Sequence, residues 1–215
     1  MPIGAGLVYK AVGIYQTQEE IDNDPAHWPG ARPGDIKFAD INGDNKLDGN
    51  DRIRYNRTSV PTFTYGINLG AQYKGFDVTA LLQGAMGGVF FQSTESGDFG
   101  NFLKSFYDNR WTEENHSTSY PRTYNRSNEY WVNQSNTFWI HSSDYIRLKN
   151  VEVGYTLPNV LTSKIKIERL RFYINGYNLL TIAPCMKDYD PENTSGRGYN
   201  YPLSKIINFG ASITF

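Results

Sequence analysis

A disulfide framework is excluded from the start, because Cys185 is the single cysteine in 215 residues and has no internal partner. Excess charge of either sign is also missing: 21 Lys and Arg stand against 22 Asp and Glu, and no dense basic run occurs. Without that electrostatic pull, no nucleic-acid partner is expected. Histidine is scarce, and His27, His116 and His141 share no metal-ligand spacing. No stretch approaches the ~18 apolar residues of a membrane-spanning helix. The amino-terminal MPIGAGLVYKAVGIY has no charged region followed by an apolar run, so no signal peptide is expected. A transmembrane β-barrel stays open, because alternating strands hide their apolar residues from any hydropathy average. What is present is a chain with 39% hydrophobic and 15% aromatic residues, too apolar to be wholly disordered.

The apolar residues recur with a period of two. In PTFTYGINLGAQYKGFDVTALLQGAMG, Phe63, Tyr65, Ile67, Leu69, Ala71 and Tyr73 share one face, opposite Thr64, Gly66, Asn68, Gly70 and Gln72. After Lys74-Gly75 the pattern restarts with Phe76, Val78, Ala80 and Leu82, which predicts a hairpin with a two-residue turn. KIINFGASITF repeats the design, with Ile207, Phe209, Ala211, Ile213 and Phe215 on one side. In SDYIRLKNVEVGYTLP, Val151, Val153 and Tyr155 are out of phase with Ile146 and Leu148; a bulge near Lys149, or an extension beyond a membrane, explains the slip. ERLRFYINGYNLLT supplies a further strand, and GAGLVYKAVGIY reads as a sixth. TQEEID, with Thr17 three residues before Glu20, predicts one helical turn with a capping box.

Connections alternate between long and short along the chain. Long ones cover 17–61, 89–143 and 181–203; the strand segments are the hairpin 62–88, a pair within 144–180 and a last strand at 204–215. Short turns at one end and long loops at the other are the pattern of an outer-membrane barrel. A soluble β-sandwich alternates as well. Long loops and polar faces rich in Gly, Thr, Asn and Gln favour the barrel. The fold class favoured by pattern alone is thus all-β, with about five or six antiparallel up-and-down strands of a transmembrane barrel.

The stretch PGDIKFADINGDNKLDGNDR concentrates side-chain oxygen. In a twelve-residue loop starting at Asp40, positions 1, 3, 5, 9 and 12 are Asp40, Asn42, Asp44, Asp48 and Asp51, and Lys46 at position 7 offers its carbonyl. This is the ligand spacing of an EF-hand-type Ca2+ loop, in which calcium is a structural cofactor. Asn45 replaces the glycine of position 6, and the loop is more similar to those of dockerin repeats. The alternative is an Asx-rich turn with no metal.

Taken in order, these motifs resemble the SusC/RagA type of TonB-dependent outer-membrane transporter over nearly the whole chain. The acidic loop, the 62–88 hairpin, SDYIRLKNVEVGYTLP, LRFYINGYNLLT, DYDPE and YPLSKIINFGASITF each match a motif of that family. The resemblance implies that residues 1–215 are the carboxy-terminal portion of such a barrel, since five or six strands cannot close one: known membrane barrels begin at about eight. It implies location in the bacterial outer membrane and import of glycan or peptide oligomers. It also implies a SusD-like surface lipoprotein as lid, energy from the TonB complex through a part not in this chain, and no enzymatic activity. Phe215, with Phe209 in the same strand, is similar to the assembly signal by which the barrel assembly machinery selects clients.

The apolar faces are then expected to meet outer-membrane lipid, with Tyr73, Phe76 and Phe215 near the periplasmic aromatic belt. Trp111, Tyr130, Trp131 and Trp139, among Asn, Ser and Asp in the 89–143 segment, are candidates for stacking on a ligand. Asp190 and Glu192 lack the partner constellation of an acid–base pair. The alternative from another class is a soluble, calcium-stabilised carbohydrate-binding β-domain.

Overall fold

The computed structural model describes residues 5–92, 102–124, 129–192 and 201–215. Within them the strands are β1 (Gly6–Tyr9), β2 (Ala11–Ile14), β3 (Ile36–Phe38), β4 (Arg52–Tyr55), β5 (Phe63–Tyr73), β6 (Phe76–Met86), β7 (Val89–Phe91), β8 (Ile140–Ser142), β9 (Tyr145–Thr156), β10 (Arg169–Ile182) and β11 (Ile206–Thr214). The chain divides into two compact units.

One unit is a single antiparallel sheet in the order β11-β10-β9-β6-β5. Its registers line up apolar residues across all five strands. Tyr73, Phe76, Tyr155, Phe172 and Ala211 make one row, and Ala71, Val78, Val153, Ile174 and Phe209 the next. The β5–β6 turn is tight because Lys74 and Gly75 both take positive φ, at 47° and 87°, as a type I′ turn demands. The phase slip in β9 is a bulge: Asn150 faces Leu81, Leu148 faces Leu82, and Lys149 is left over between them. On the other side β10 jumps from Tyr177 to Leu180 at the same level, with Asn178 in a left-handed conformation at φ 53°. One extra residue returns Ile146 and Leu148 to the face of Val151 and Val153.

That face is exposed along most of its length, Phe63, Leu69, Phe76 and Ile207 included. Each such side chain left in water forgoes about 1.5–3 kcal/mol of burial. The sheet does not close, and β5 and β11 each have an edge with no strand beside it among the described residues. No helix of the described residues is long and apolar enough to cross a membrane, which says nothing against strands.

The other unit is built from the segments up to Val60 and Val89–Ser142. The expected sixth barrel strand is absent from the five-stranded sheet. GAGLVYKAVGIY splits at Lys10 into β1, which pairs with β4, and β2, which pairs with β3. The segments expected as loops have their own core instead: Tyr9, Ile36, Phe38, Phe106, Trp131 and Trp139 are buried together, with Trp28, Tyr120, Tyr124, Tyr130 and Phe138 against them. Tyr9 stacks on Phe38 at 5.3 Å and Trp28 on Tyr130 at 5.4 Å, while Tyr124 meets Trp131 edge-on at 4.9 Å. Such pairs contribute about 0.5–1.5 kcal/mol each beyond their burial. Helix α1 (Gln18–Asp22) is capped by Thr17, which accepts from Glu20 N–H at 3.2 Å; the Glu20 carboxylate accepts from Gln16 N–H rather than closing the box on Thr17.

Gly34 fixes the unit's tightest approach. Its φ is +88°, and a Cβ there would lie 2.5 Å from Trp111 Cε3 and 2.9 Å from Arg122 Cβ. Gly34→Ala is expected to destabilise this unit by about 2–4 kcal/mol. Limited proteolysis should then cut the 17–61 segment faster, without loss of the five-stranded sheet of β5, β6, β9, β10 and β11; unchanged cleavage would contradict the packing described.

Candidate functional site

The acidic loop folds on its own oxygens. Asp40 accepts from Gly43 N–H at 2.7 Å and Asn45 N–H at 2.8 Å; Asn42 accepts from Asp44 N–H, and Asp44 from Lys46 N–H. Asn45 has φ 62°, the conformation for which position 6 of such loops uses glycine. Asp48 accepts from Asn50 N–H at 2.7 Å and caps the following turn. Asp51 is buried and accepts from Ile41 N–H at 2.9 Å and Asp48 N–H at 2.8 Å. Burial alone would raise its carboxyl, but the N–H groups of Asp48, Ile41 and Asn42 outweigh it and hold the pKa below the ordinary carboxylate value. Among the described residues, no three His, Cys, Asp or Glu side chains are grouped to hold a metal ion.

Of the four rings expected to meet a ligand, Trp131 and Trp139 belong to the core, Tyr130 packs against it, and Trp111 is buried apart from it. Trp131 is 0%, Trp139 5% and Trp111 9% exposed, and Tyr130 lies between Trp28 and Phe38 with its hydroxyl donating to Ile36 O at 2.7 Å. Trp131 and Trp139 stack on each other at 6.2 Å, Tyr130 stacks on Trp28, and Trp111 lies beside His116 at 5.5 Å, so these rings pack within their own unit. Beside them Arg122 joins Asp35 at 2.6 Å and Glu129 at 2.5 Å. Burial pushes the Asp35 carboxyl above its ordinary range, with the Arg122 guanidinium pulling against it.

The polar face of the five-stranded sheet carries the densest chemistry. Arg171 of β10 reaches across β9 to Asp77 of β6, with Nε 3.0 Å from Oδ1, and holds Glu152 of β9 at 2.7 Å. Gly154 lets the guanidinium lie flat, since a Cβ would come within 2.5 Å of Arg171 Cζ. Glu152 also accepts from Asn175, which in turn accepts from Asn208 at 2.9 Å, so the ladder runs from β6 to β11. Nearer the bulge, Arg147 is 1% exposed. It donates to both oxygens of Asp190 at 2.8 Å, to Glu192 at 2.6 Å and to Thr181 Oγ1 at 2.9 Å. Tyr145 and Lys149 also reach Glu192. The acidic pair of DYDPE is therefore a clamp on a buried arginine, a role that sequence reading left unassigned. The clamp borders a cleft of about 500 Å3, lined also by Asn178, Tyr189 and Leu203. Asn150 Oδ1 and Asn178 Oδ1, which flank the bulge, have no hydrogen-bond partner among the described residues. Such groups are satisfied only where water reaches them.

Phe209 and Phe215, expected as the assembly signal, lie in or just beyond the edge strand β11 and are 81% and 88% exposed.

No protein-family model matches the chain. Solved structures do. The structure of the RagAB peptide transporter superposes with a TM-score of 0.69 at 24% identity, covering 98% of this chain and 23% of that one. The RagAB peptide importer in its open-open state gives 0.65 at 23%, covering 97% and 22%. The two-faced sheet is thus an unclosed part of a barrel of the RagA type.

In sequence, the chain is 30% identical to TonB-dependent receptor P3 of Formosa agariphila over 99% of its own length and 22% of the receptor's. For TonB-dependent receptor P26 of the same organism the values are 26%, 100% and 23%. The resemblance to TonB-dependent receptors read from the motifs is therefore shown, and the chain spans less than a quarter of the relatives it matches. Those relatives are named receptors and the solved structures a transporter and an importer, and none of these names is that of an enzyme.

Arg147→Ala leaves Asp190 and Glu192 without their cation and is expected to cost about 3 kcal/mol of local stability, at the low end for a broken buried pair because Glu192 is partly exposed. In the intact receptor, trypsin cleavage at Lys187 should accelerate about tenfold or more. An unchanged rate would show that the clamp does not hold this segment.

Proposed function

We propose that the chain is the carboxy-terminal barrel portion of a TonB-dependent outer-membrane transporter. It imports peptide or glycan oligomers beneath a SusD-like surface lipoprotein, with energy from the TonB complex acting on a part outside this chain. The observation that carries this reading is the two-faced, unclosed sheet. An apolar face left exposed along five strands suits lipid, and a face of ion-paired and unpartnered amide groups suits a wet lumen. Two unpaired edges call for more strands on either side. The segments 62–88, 144–180 and 204–215 then cross the membrane, and 17–61, 89–143 and 181–203 lie outside the cell. Phe209 and Phe215 serve the barrel assembly machinery. A free-standing carbohydrate-binding sandwich is less well supported, because the sheet's own unit has no second sheet to cover the apolar face.

Fractionation of native cells tests this. An antibody against DYDPENTSGRGYNYP should detect an outer-membrane band roughly four to five times the 24.5 kDa of this chain, as its 22% share of the relative implies. A 24.5 kDa band in the soluble fraction would overturn the reading.

The loop at 40–51 is proposed to bind calcium as a structural ion, through the side chains of Asp40, Asn42, Asp44, Asp48 and Asp51 and the Lys46 carbonyl. Support comes from Asn45 standing in for the position-6 glycine and from the Asp40 carboxylate accepting its N–H. Millimolar calcium should slow proteolysis within 40–51 at neutral pH, and Asp51→Asn should abolish the effect. Equal cleavage with calcium and with chelator would remove the ion from the account.

A further inference from the structure

The two short connections of the sheet lie at one end. Thr156 N–H donates to Gly75 O at 2.7 Å, and Glu168 N–H donates to Thr214 O at 2.9 Å. The connection after β9 contains one helical turn, Asn159–Thr162, and a 3-10 turn, Ser163–Ile165. Its apolar side chains are turned outward: Val160, Leu161 and Ile165 are 75%, 54% and 62% exposed. The apolar face of the sheet reaches this end as the ring row Tyr73, Phe76, Tyr155 and Phe172.

The same end of the sheet carries Lys74 in the first connection and Lys164 and Lys166 in the second, all three exposed. Among the described residues none of the three is paired with a carboxylate, and Lys74 rests over the Tyr73 ring at 5.2 Å. Asp77 at this end is engaged by Arg171, which leaves Glu168 as the acid beside them. Local folding does not ask for lysine here. Lys74 and Lys166 both occupy the left-handed region, at φ 47° and 58°, where asparagine or glycine is less strained. Two lysines held at a conformational cost, a third two residues before one of them, and aliphatic side chains facing out suit a surface that is apolar beneath and anionic above.

We propose that this end of the sheet is an interfacial anchor for anionic phospholipid. Lys74, Lys164 and Lys166 hold headgroup phosphates, while Val160, Leu161 and Ile165 enter the acyl boundary. The inference rests on the membrane reading above and names the lipid class that reading leaves open; with the long connections outside, the anchor meets the periplasmic leaflet.

The test uses the full-length receptor, purified from outer membranes and placed in nanodiscs of phosphatidylglycerol and phosphatidylethanolamine, with retained lipids counted by native mass spectrometry. The wild type should retain phosphatidylglycerol over phosphatidylethanolamine by about fivefold or more. The triple variant Lys74→Asn, Lys164→Gln, Lys166→Asn should fall to near parity. Its heat-modifiable gel mobility should not change, because asparagine suits both left-handed positions. A variant that keeps the wild-type preference, or a wild type with none, overturns the proposal. So does a variant with unaltered lipids that sheds a co-purifying protein, since the patch then serves a protein partner. A receptor that urea strips from the membrane fails at an earlier step and sinks the transport reading itself.

Discussion

Everything in the five-stranded sheet depends on keeping one face apolar across all strands, and a period of two makes that fragile. A single inserted residue turns every later side chain to the wrong side. β9 has such an insertion at Lys149, and the neighbouring strands absorb it: β6 continues straight while β10 opens at Asn178. Because the three strands adjust at one level, Ile146, Leu148, Val151 and Val153 share a face, and Arg147 lands opposite them, where Asp190 and Glu192 can reach it. The bulge thus links the shape of the wall to the placement of its most buried charge.

Three arginines perform the same task in three places. Arg122, Arg147 and Arg171 each bridge two carboxylates, and each cluster includes at least one contact between segments distant in sequence. The planar fork of guanidinium satisfies two acids at once, which lysine cannot match. Fully satisfied, these clusters place no isolated charge in a poorly solvated site; with one member removed, the others become a liability.

The long strands were legible because their alternation is unbroken and because Lys74-Gly75 separates two copies of it. The slip in β9 was visible too, though sequence alone left two causes open and the register decides for the bulge. GAGLVYKAVGIY was misleading: it alternates, but alternation cannot tell which sheet a strand joins. The arginine clusters were out of reach for a different reason. Arg171 meets Asp77 across 94 positions and Arg122 meets Asp35 across 87, contacts that exist only once registers are set. The aromatic residues of 89–143 carried an ambiguity of chemistry. Rings that stack on a ligand and rings that stack on each other have the same composition, and burial assigns Trp131 and Trp139 to the second use.

The bare edges of β5 and β11 have a consequence for how such a chain is made. Each presents a row of amide and carbonyl groups with no strand alongside among the described residues, next to a face of Phe, Ile and Leu. Strands of that kind add to one another when nothing stops them, so this segment by itself is expected to aggregate through its edges. Only neighbouring strands placed against both edges would use up those groups and stop the addition.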